Sequence, residues 1–278
     1  MLKAKMVRGL TTGWLQEGQD NPLAPILVFL HGFPDTPHMW DKQINFFSAN
    51  YLVLAPYLRG VGPSEAAVQK NRYSIDSITM DILAILKEVD PDQNRKIALV
   101  AHDIGGLYGW QLARYLDHRL SHVIMVNSVS LDQMTRKLFG FRQLAKSWYI
   151  GLFQFPKIPE FILTRFWDYF KHKITQRPEL KGDYQLKPKD VLPAINQYRM
   201  AFKGVLKRRP VKKIDVPVLV VWGKEDPYLE IPTSSEIQRL AKNFVIRVLD
   251  GGHWIHQKQP DRVNALIDQF LKGAPCLT

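Results

Sequence analysis

Short, mainly apolar runs alternate along this chain with longer stretches in which apolar residues recur every three or four positions. The runs at residues 26–30, 51–55, 96–101, 122–126, 216–222 and 245–249 are of strand length. They carry no polar alternation, as expected of strands buried on both faces of a parallel sheet. From Ser74 onward Ile75, Ile78, Ile82, Ile85, Leu86 and Val89 follow helical spacing, and Pro91 marks the stop. A second helix is expected through Leu107, Leu112 and Tyr115, and a last one over 262–271. Residues 7–17, with Gly9 and Gly13, read as an opening hairpin. Between about 128 and 213 the rhythm stops: the pattern there is helical, aromatic and basic, with no buried strand. A segment of roughly 85 residues is too long for a loop. The expected architecture is therefore an α/β core domain formed by 1–127 and 214–278, with a helical cap, 128–213, inserted in it.

The candidate chemistry sits where strands end. The run 96–101 leads into Ala101-His102-Asp103-Ile104-Gly105-Gly106 and then a helix. This is the strand–turn–helix setting of the G-x-S-x-G nucleophile turn, with Asp103 in the serine position and Ala101 at the first glycine. Small flanking residues let such a turn close, and a carboxylate at a helix start is favoured in its ionised form. A carboxylate needs no base to activate it and suits attack on a saturated carbon, leaving an ester that water must open. The earlier run ends in His31-Gly32-Phe33-Pro34, from which the Phe33 N–H, together with that of Ile104, is placed to form an oxyanion hole. Trp222-Gly223-Lys224-Glu225-Asp226-Pro227 offers Asp226 as an acid, and Asp250-Gly251-Gly252-His253-Trp254 offers His253 as a base. The neighbouring carboxylates Glu225 and Asp250 are set aside, the first as pointing away and the second as a turn residue. The order Asp103, Asp226, His253 is that of nucleophile, acid and histidine in a hydrolase triad.

These motifs resemble the α/β-hydrolase fold, a mostly parallel sheet flanked by helices with a helical cap, and within it the epoxide hydrolase family. The resemblance runs over 7–272 and is sharpest at His31-Gly32-Phe33-Pro34, His102-Asp103-Ile104-Gly105-Gly106 and Gly252-His253-Trp254. It implies conversion of an epoxide to a vicinal diol through an ester on Asp103, hydrolysed by water that His253 and Asp226 activate, without metal or organic cofactor. The family carries two cap tyrosines that hydrogen-bond the epoxide oxygen. Asn196-Gln197-Tyr198-Arg199 resembles the motif holding one, and the stretch from Trp148 to Pro156 resembles that holding the other, which points to Tyr198 and Tyr149. Tyr169 and Tyr184 compete for the role but are expected to be packing or surface residues. Phe33, Ile104, Trp148 and Phe153 are the expected substrate contacts; Phe155, Phe161, Phe166, Trp167 and Phe170 are expected mainly to hold the cap together. Two positions depart from the common pattern: Ile104 replaces a tryptophan after the nucleophile, and Tyr57 stands where an acid often precedes Leu58-Arg59-Gly60. The closest rival is a haloalkane or haloacid dehalogenase, but Phe33 and Ile104 supply neither a halide-binding side chain nor a carboxylate-binding arginine. A non-catalytic binding homologue is the further alternative, against which the ordered triad argues.

Composition narrows the classes. The chain has 278 residues, 46% of them apolar and 23% charged, a globular profile that excludes collagen, coiled coil and disorder. No apolar run approaches the roughly 18 residues of a membrane span. Cys276 is the single cysteine, which removes an intrachain disulfide and a thiolate metal cluster and fits a cytoplasmic protein. The net charge of +12 is localised: 19 of the 38 basic but only 6 of the 26 acidic residues fall in 128–213, leaving 19 against 20 elsewhere. No nucleic-acid motif accompanies that excess. Apart from solubility, its expected use is weak contact with an anionic membrane.

Overall fold

In the computed structural model, residues 1–18, 21–137, 140–169, 187–206 and 213–273 are described; Phe170, Tyr184 and Cys276 lie outside them. Eight strands form one sheet: β1 (Leu2–Val7), β2 (Leu10–Gly18), β3 (Ile26–Leu30), β4 (Leu52–Pro56), β5 (Ile97–His102), β6 (Leu120–Val126), β7 (Val218–Gly223) and β8 (Phe244–Leu249). Their order is β1-β2-β4-β3-β5-β6-β7-β8. β1, β2 and β4 pair antiparallel, and every pairing from β4 through β3 to β8 is parallel. The opening hairpin starts earlier than its glycines implied, at Leu2. Its two-residue turn is Arg8-Gly9, both at positive φ, whereas Gly13 lies inside β2, where a side chain would meet Pro63 at 2.7 Å.

Of the apolar runs, β3, β4, β5 and β7 are buried at every residue, whereas β6 is half-buried at Ser121 and His122 and β8, at the sheet edge, is only partly buried, with Val248 exposed. The two-residue side-chain period sorts each strand between two layers. Ile26, Val28 and Leu30 pack with Leu52 and Leu54 beneath helices α2 (Ile75–Val89) and α3 (Gly105–Leu116). Leu27 and Phe29 face the other way, against Ile44 and Phe47 of α1 (Asp41–Phe47) and the closing helix Pro260–Leu271. Helix α2 is capped by the Ser74 side chain, which accepts from the Ser77 N–H. The short α1, with only two apolar anchors in its seven residues, is an element that the hydrophobic pattern does not announce.

Between β6 and β7 the described residues contain no strand. They form α4 (Leu131–Lys137), α5 (Phe141–Lys146), α6 (Trp148–Phe153), α7 (Ile158–Arg165) and the helix Ile195–Leu206. No helix among the described residues is long and apolar enough to cross a membrane. The chain passes from β3 to β4 on one side and then to β5 on the other, so the strand order reverses at β3/β5. A crevice at the carboxyl ends of these two strands is the place where open α/β sheets bind ligands.

Candidate active site

Asp103 sits directly after β5, at the mouth of that crevice. Its φ of +52° is a left-handed conformation that few side-chain-bearing residues adopt, and it projects the carboxylate out of the strand–helix turn. The glycines around it make the turn possible by close approach. A Cβ on Gly105 would lie 2.5 Å from the His31 carbonyl, one on Gly106 would lie 1.7 Å from Ser128 Oγ, and one on Gly32 would lie 2.4 Å from Asp103 Cβ. Ala101 is tolerated at the first small position because its Cβ faces Gly109, where an added Cβ would lie 3.0 Å away. The Phe33 N–H donates to Asp103 Oδ1 at 3.2 Å, and the Ile104 amide also hydrogen-bonds the carboxylate. His31 holds the Phe33 loop in place: its Nδ1–H donates to the Gly32 carbonyl at 2.8 Å and its Nε2 accepts from the Leu58 N–H at 3.0 Å. Burial pushes the His31 pKa down to about 4, keeping the ring neutral for that double duty.

His253 lies between two carboxylates. Its Nδ1 is 2.8 Å from Asp226 Oδ2, and its Nε2 is 3.4 Å from Asp103 Oδ2. Burial favours the neutral ring, but the Asp226 charge and the hydrogen bonds to Asp103 and Asp226 outweigh it and raise the pKa to about 10. Burial likewise opposes ionisation of Asp103, yet the hydrogen bond and charge of His253 hold its pKa at about 2. Asp226 is also kept below the usual carboxylate range against its burial, by His253 first and then by Asn127. Its second oxygen accepts the Tyr228 and Leu229 amides at 2.8 and 3.0 Å. All three shifts favour a protonated His253 between two ionised carboxylates. Glu225 and Asp250 are both exposed.

Tyr198, from the helix Ile195–Leu206, donates its phenol proton to Asp103 Oδ1 at 3.2 Å. Tyr149, from α6, packs edge-on against it with ring centroids 6.1 Å apart. Burial, and then the Asp103 charge, push both phenol pKa values well above the usual value, so both remain proton donors at neutral pH. Asp103, Ile104, Tyr149 and Tyr198 border one cavity of about 590 Å³ including its open mouth, whose other walls are mainly apolar: Leu107, Val129, Met134, Ile150, Ala201 and Leu229. Among the described residues, no group of three or more His, Cys, Asp or Glu is arranged to hold a metal ion.

The sequence model of the alpha/beta hydrolase fold matches residues 25–260. The chain is 31% identical over 269 residues to Epoxide hydrolase 4 of Mus musculus, spanning 89% of this chain and 73% of that one. The chain belongs to the epoxide hydrolase family of α/β hydrolases. It is also 31% identical to the AB hydrolase superfamily protein YfhM of Bacillus subtilis, over 95% of this chain and 96% of that one. Among solved structures, an M145A mutant of an epoxide hydrolase from Bacillus megaterium superposes with a TM-score of 0.82 at 24% identity, covering 97% of this chain and all of the other.

In this α/β-hydrolase frame the expected site residues come together, with Trp148 the exception. Asp103, Asp226, His253, Tyr149, Tyr198 and the amides of Phe33 and Ile104 converge on one point. Phe33 and Phe153 pack edge-on against each other and against Tyr198, and support the cavity wall from behind. Trp148 does not reach the site. It is 63% exposed because α6 turns about 100° per residue, and Tyr149 is the neighbour that faces inward. Tyr169 is also exposed, and Tyr57 instead hydrogen-bonds His38 Nε2 at 3.0 Å.

Several residues that shape this α/β-hydrolase site were not identified from sequence. Asn127, at a φ of +40° after β6, donates to Asp226 Oδ2 at 2.6 Å and accepts the Gly223 N–H at 2.9 Å. Ser128 Oγ donates to the Asp103 carbonyl at 2.6 Å. Both follow the strand between the nucleophile strand and the acid strand, a position that strand-end reasoning would have flagged. His102 donates from Nε2 to the His253 carbonyl at 3.0 Å and so ties the nucleophile turn to the histidine loop. Arg199 bonds the Phe153 and Phe155 carbonyls and Glu160, locking the Tyr198 helix to the end of α6. The Tyr228 ring stands 5.2 Å from that of His253.

Proposed function

We propose that this protein hydrolyses an apolar epoxide to a vicinal diol in two covalent steps. Asp103 Oδ2 attacks a ring carbon, the carbon–oxygen bond of the ring breaks, and the departing oxygen takes a proton from Tyr198 or Tyr149. An alkyl ester of Asp103 results. The His253 proton passes to the phenolate, and the ring, now neutral and oriented by Asp226, removes a proton from water as the water oxygen adds to the ester carbonyl. The Phe33 and Ile104 amides hold the oxyanion until the diol leaves and the carboxylate is restored. Residues 128–213 serve as the lid, carrying both phenols over the nucleophile.

The single observation behind this reading is the Tyr198 phenol, 3.2 Å from the nucleophilic carboxylate in an apolar cavity. A leaving alkoxide needs a proton donor there; a departing halide does not, which separates this reaction from dehalogenation. The names of the relatives agree with it. Water and an apolar epoxide are the partners, without nucleic acid and without a metal or organic cofactor. A cytoplasmic location belongs to the same reading, and the basic residues of 128–213 stand apart from the chemistry, suited to an anionic membrane surface. The test is a diol-formation screen over styrene oxide, small aliphatic epoxides and fatty-acid epoxides, run beside a halide-release screen over haloalkanes and haloacids. Diol without halide is expected; halide release without diol overturns the assignment.

A further inference from the structure

The helices over the cavity are apolar on both sides. Ile150, Phe153 and Leu163 are buried inward. On the outside, Leu144 of α5, Trp148 and Gly151 of α6 and Phe155 in the turn after α6 are all exposed, and a side chain on Gly151 would meet nothing within 4 Å. Ile158 and Phe161 continue this exposed apolar face along α7, and Phe166 follows its last residue. Leu144, Trp148, Phe155, Ile158, Phe161 and Phe166 are each between 48% and 69% exposed. Soluble surfaces rarely present so many large apolar side chains in succession, and where they do, the patch meets a partner.

Charge identifies the partner. Exposed Lys157 lies in the turn between α6 and α7, and exposed Arg165 sets its guanidinium 5.6 Å from the Phe166 ring. Glu160 is drawn inward by Arg199, so the exposed acid among described residues 140–169 is Asp168. In sequence, residues 128–213 hold 19 basic against 6 acidic residues. A second copy of the chain would bring the same positive excess to the contact. An anionic surface with an apolar interior matches both halves of the pattern, since aromatic rings settle at the headgroup level while Lys and Arg meet lipid phosphates. We propose that the outer face of α5, α6 and α7 docks on an anionic lipid bilayer. Docking stands independently of the reaction; only the idea that the bilayer delivers an apolar epoxide to the cavity beneath rests on the proposed hydrolysis.

The test is co-sedimentation of the full-length protein with phosphatidylcholine vesicles, with and without about 30% phosphatidylserine, at low and high salt. Expected is binding to the anionic vesicles alone, reduced by salt, and weakened about tenfold by the pair Phe155→Ser and Phe161→Ser. Lys157→Glu with Arg165→Glu should weaken it similarly. Diol formation from a water-soluble epoxide should be unchanged in both pairs, which also shows that they fold. The proposal is overturned if anionic vesicles are not bound, if binding ignores charge and salt, if either pair binds like the wild type, or if sedimentation shows a dimer that the serine pair dissolves. Vesicle binding by a protein that forms no diol from any epoxide would uphold docking and sink the reaction.

Discussion

Replacing Asp103 by Asn preserves shape and removes one charge beside His253. In the native site that charge lies 3.4 Å from Nε2, within a pair that is almost wholly buried. At this separation and an effective dielectric near 20, the attraction is about 5 kcal/mol, equivalent to roughly three and a half pKa units. His253, held at about 10 in the intact site, should therefore titrate roughly three and a half units lower in the Asn variant, close to neutrality. The same loss of charge accompanies esterification of Asp103. A ring that rests as imidazolium thus becomes a competent base only once there is an ester to hydrolyse. Stability follows with a definite sign. The raised pKa contributes stability that is complete below 6.5, the value of an unperturbed histidine, and is lost as pH rises through about 10. In the variant the loss ends correspondingly earlier. Ring-nitrogen NMR of histidine-labelled protein, assigned by comparison with His253→Gln, measures this directly. A His253 that still titrates near 10 in the variant, or is already neutral at pH 7 in the wild type, would refute the reasoning.

Tyr198→Phe removes the donor nearest the carboxylate and should lower kcat/KM for epoxides by about a hundredfold, with Tyr149→Phe adding to the loss in the double variant; steady-state diol formation checks this. Asn127→Ala leaves the Gly223 N–H and Asp226 Oδ2 each without their Asn127 partner. It should cost about 1–3 kcal/mol by denaturant titration and reduce kcat more than it alters KM. Gly106→Ala drives a methyl group into Ser128 Oγ and should destabilise the fold by about 1–3 kcal/mol, visible as a lower Tm.

The centre of the sheet was readable because β3, β4, β5 and β7 are buried on both faces, so continuous apolar runs such as Ile26–Leu30 stand out from helical spacing. The nucleophile turn was readable because close approach admits only small residues at Gly105 and Gly106, and the triad because its members follow strands in a fixed order. What escaped is information carried by side-chain direction and by long-range pairing. Trp148 and Tyr149 are adjacent in sequence and differ only in which way α6 turns them. Asn127 and Asp226 meet only because β6 and β7 are neighbours in the sheet, and the bonds from Arg199 to Glu160 and the Phe155 carbonyl depend on how two helices cross. The two-sided apolar character of α5–α7 was visible as aromatic content, but only the fold separates the inward Phe153 from the outward Phe155 and Phe161.

The covalent ester on Asp103 is the central claim, and trapping it is the most direct measurement. His253→Gln leaves the nucleophile, the oxyanion donors and both phenols in place while removing the base. Mixed with an epoxide and examined by intact mass and peptide mapping, this variant should gain the mass of one epoxide on the peptide containing Asp103 and release diol far more slowly than it alkylates. A variant that turns over normally, or that gains no mass while the wild type consumes the same epoxide, would contradict the account.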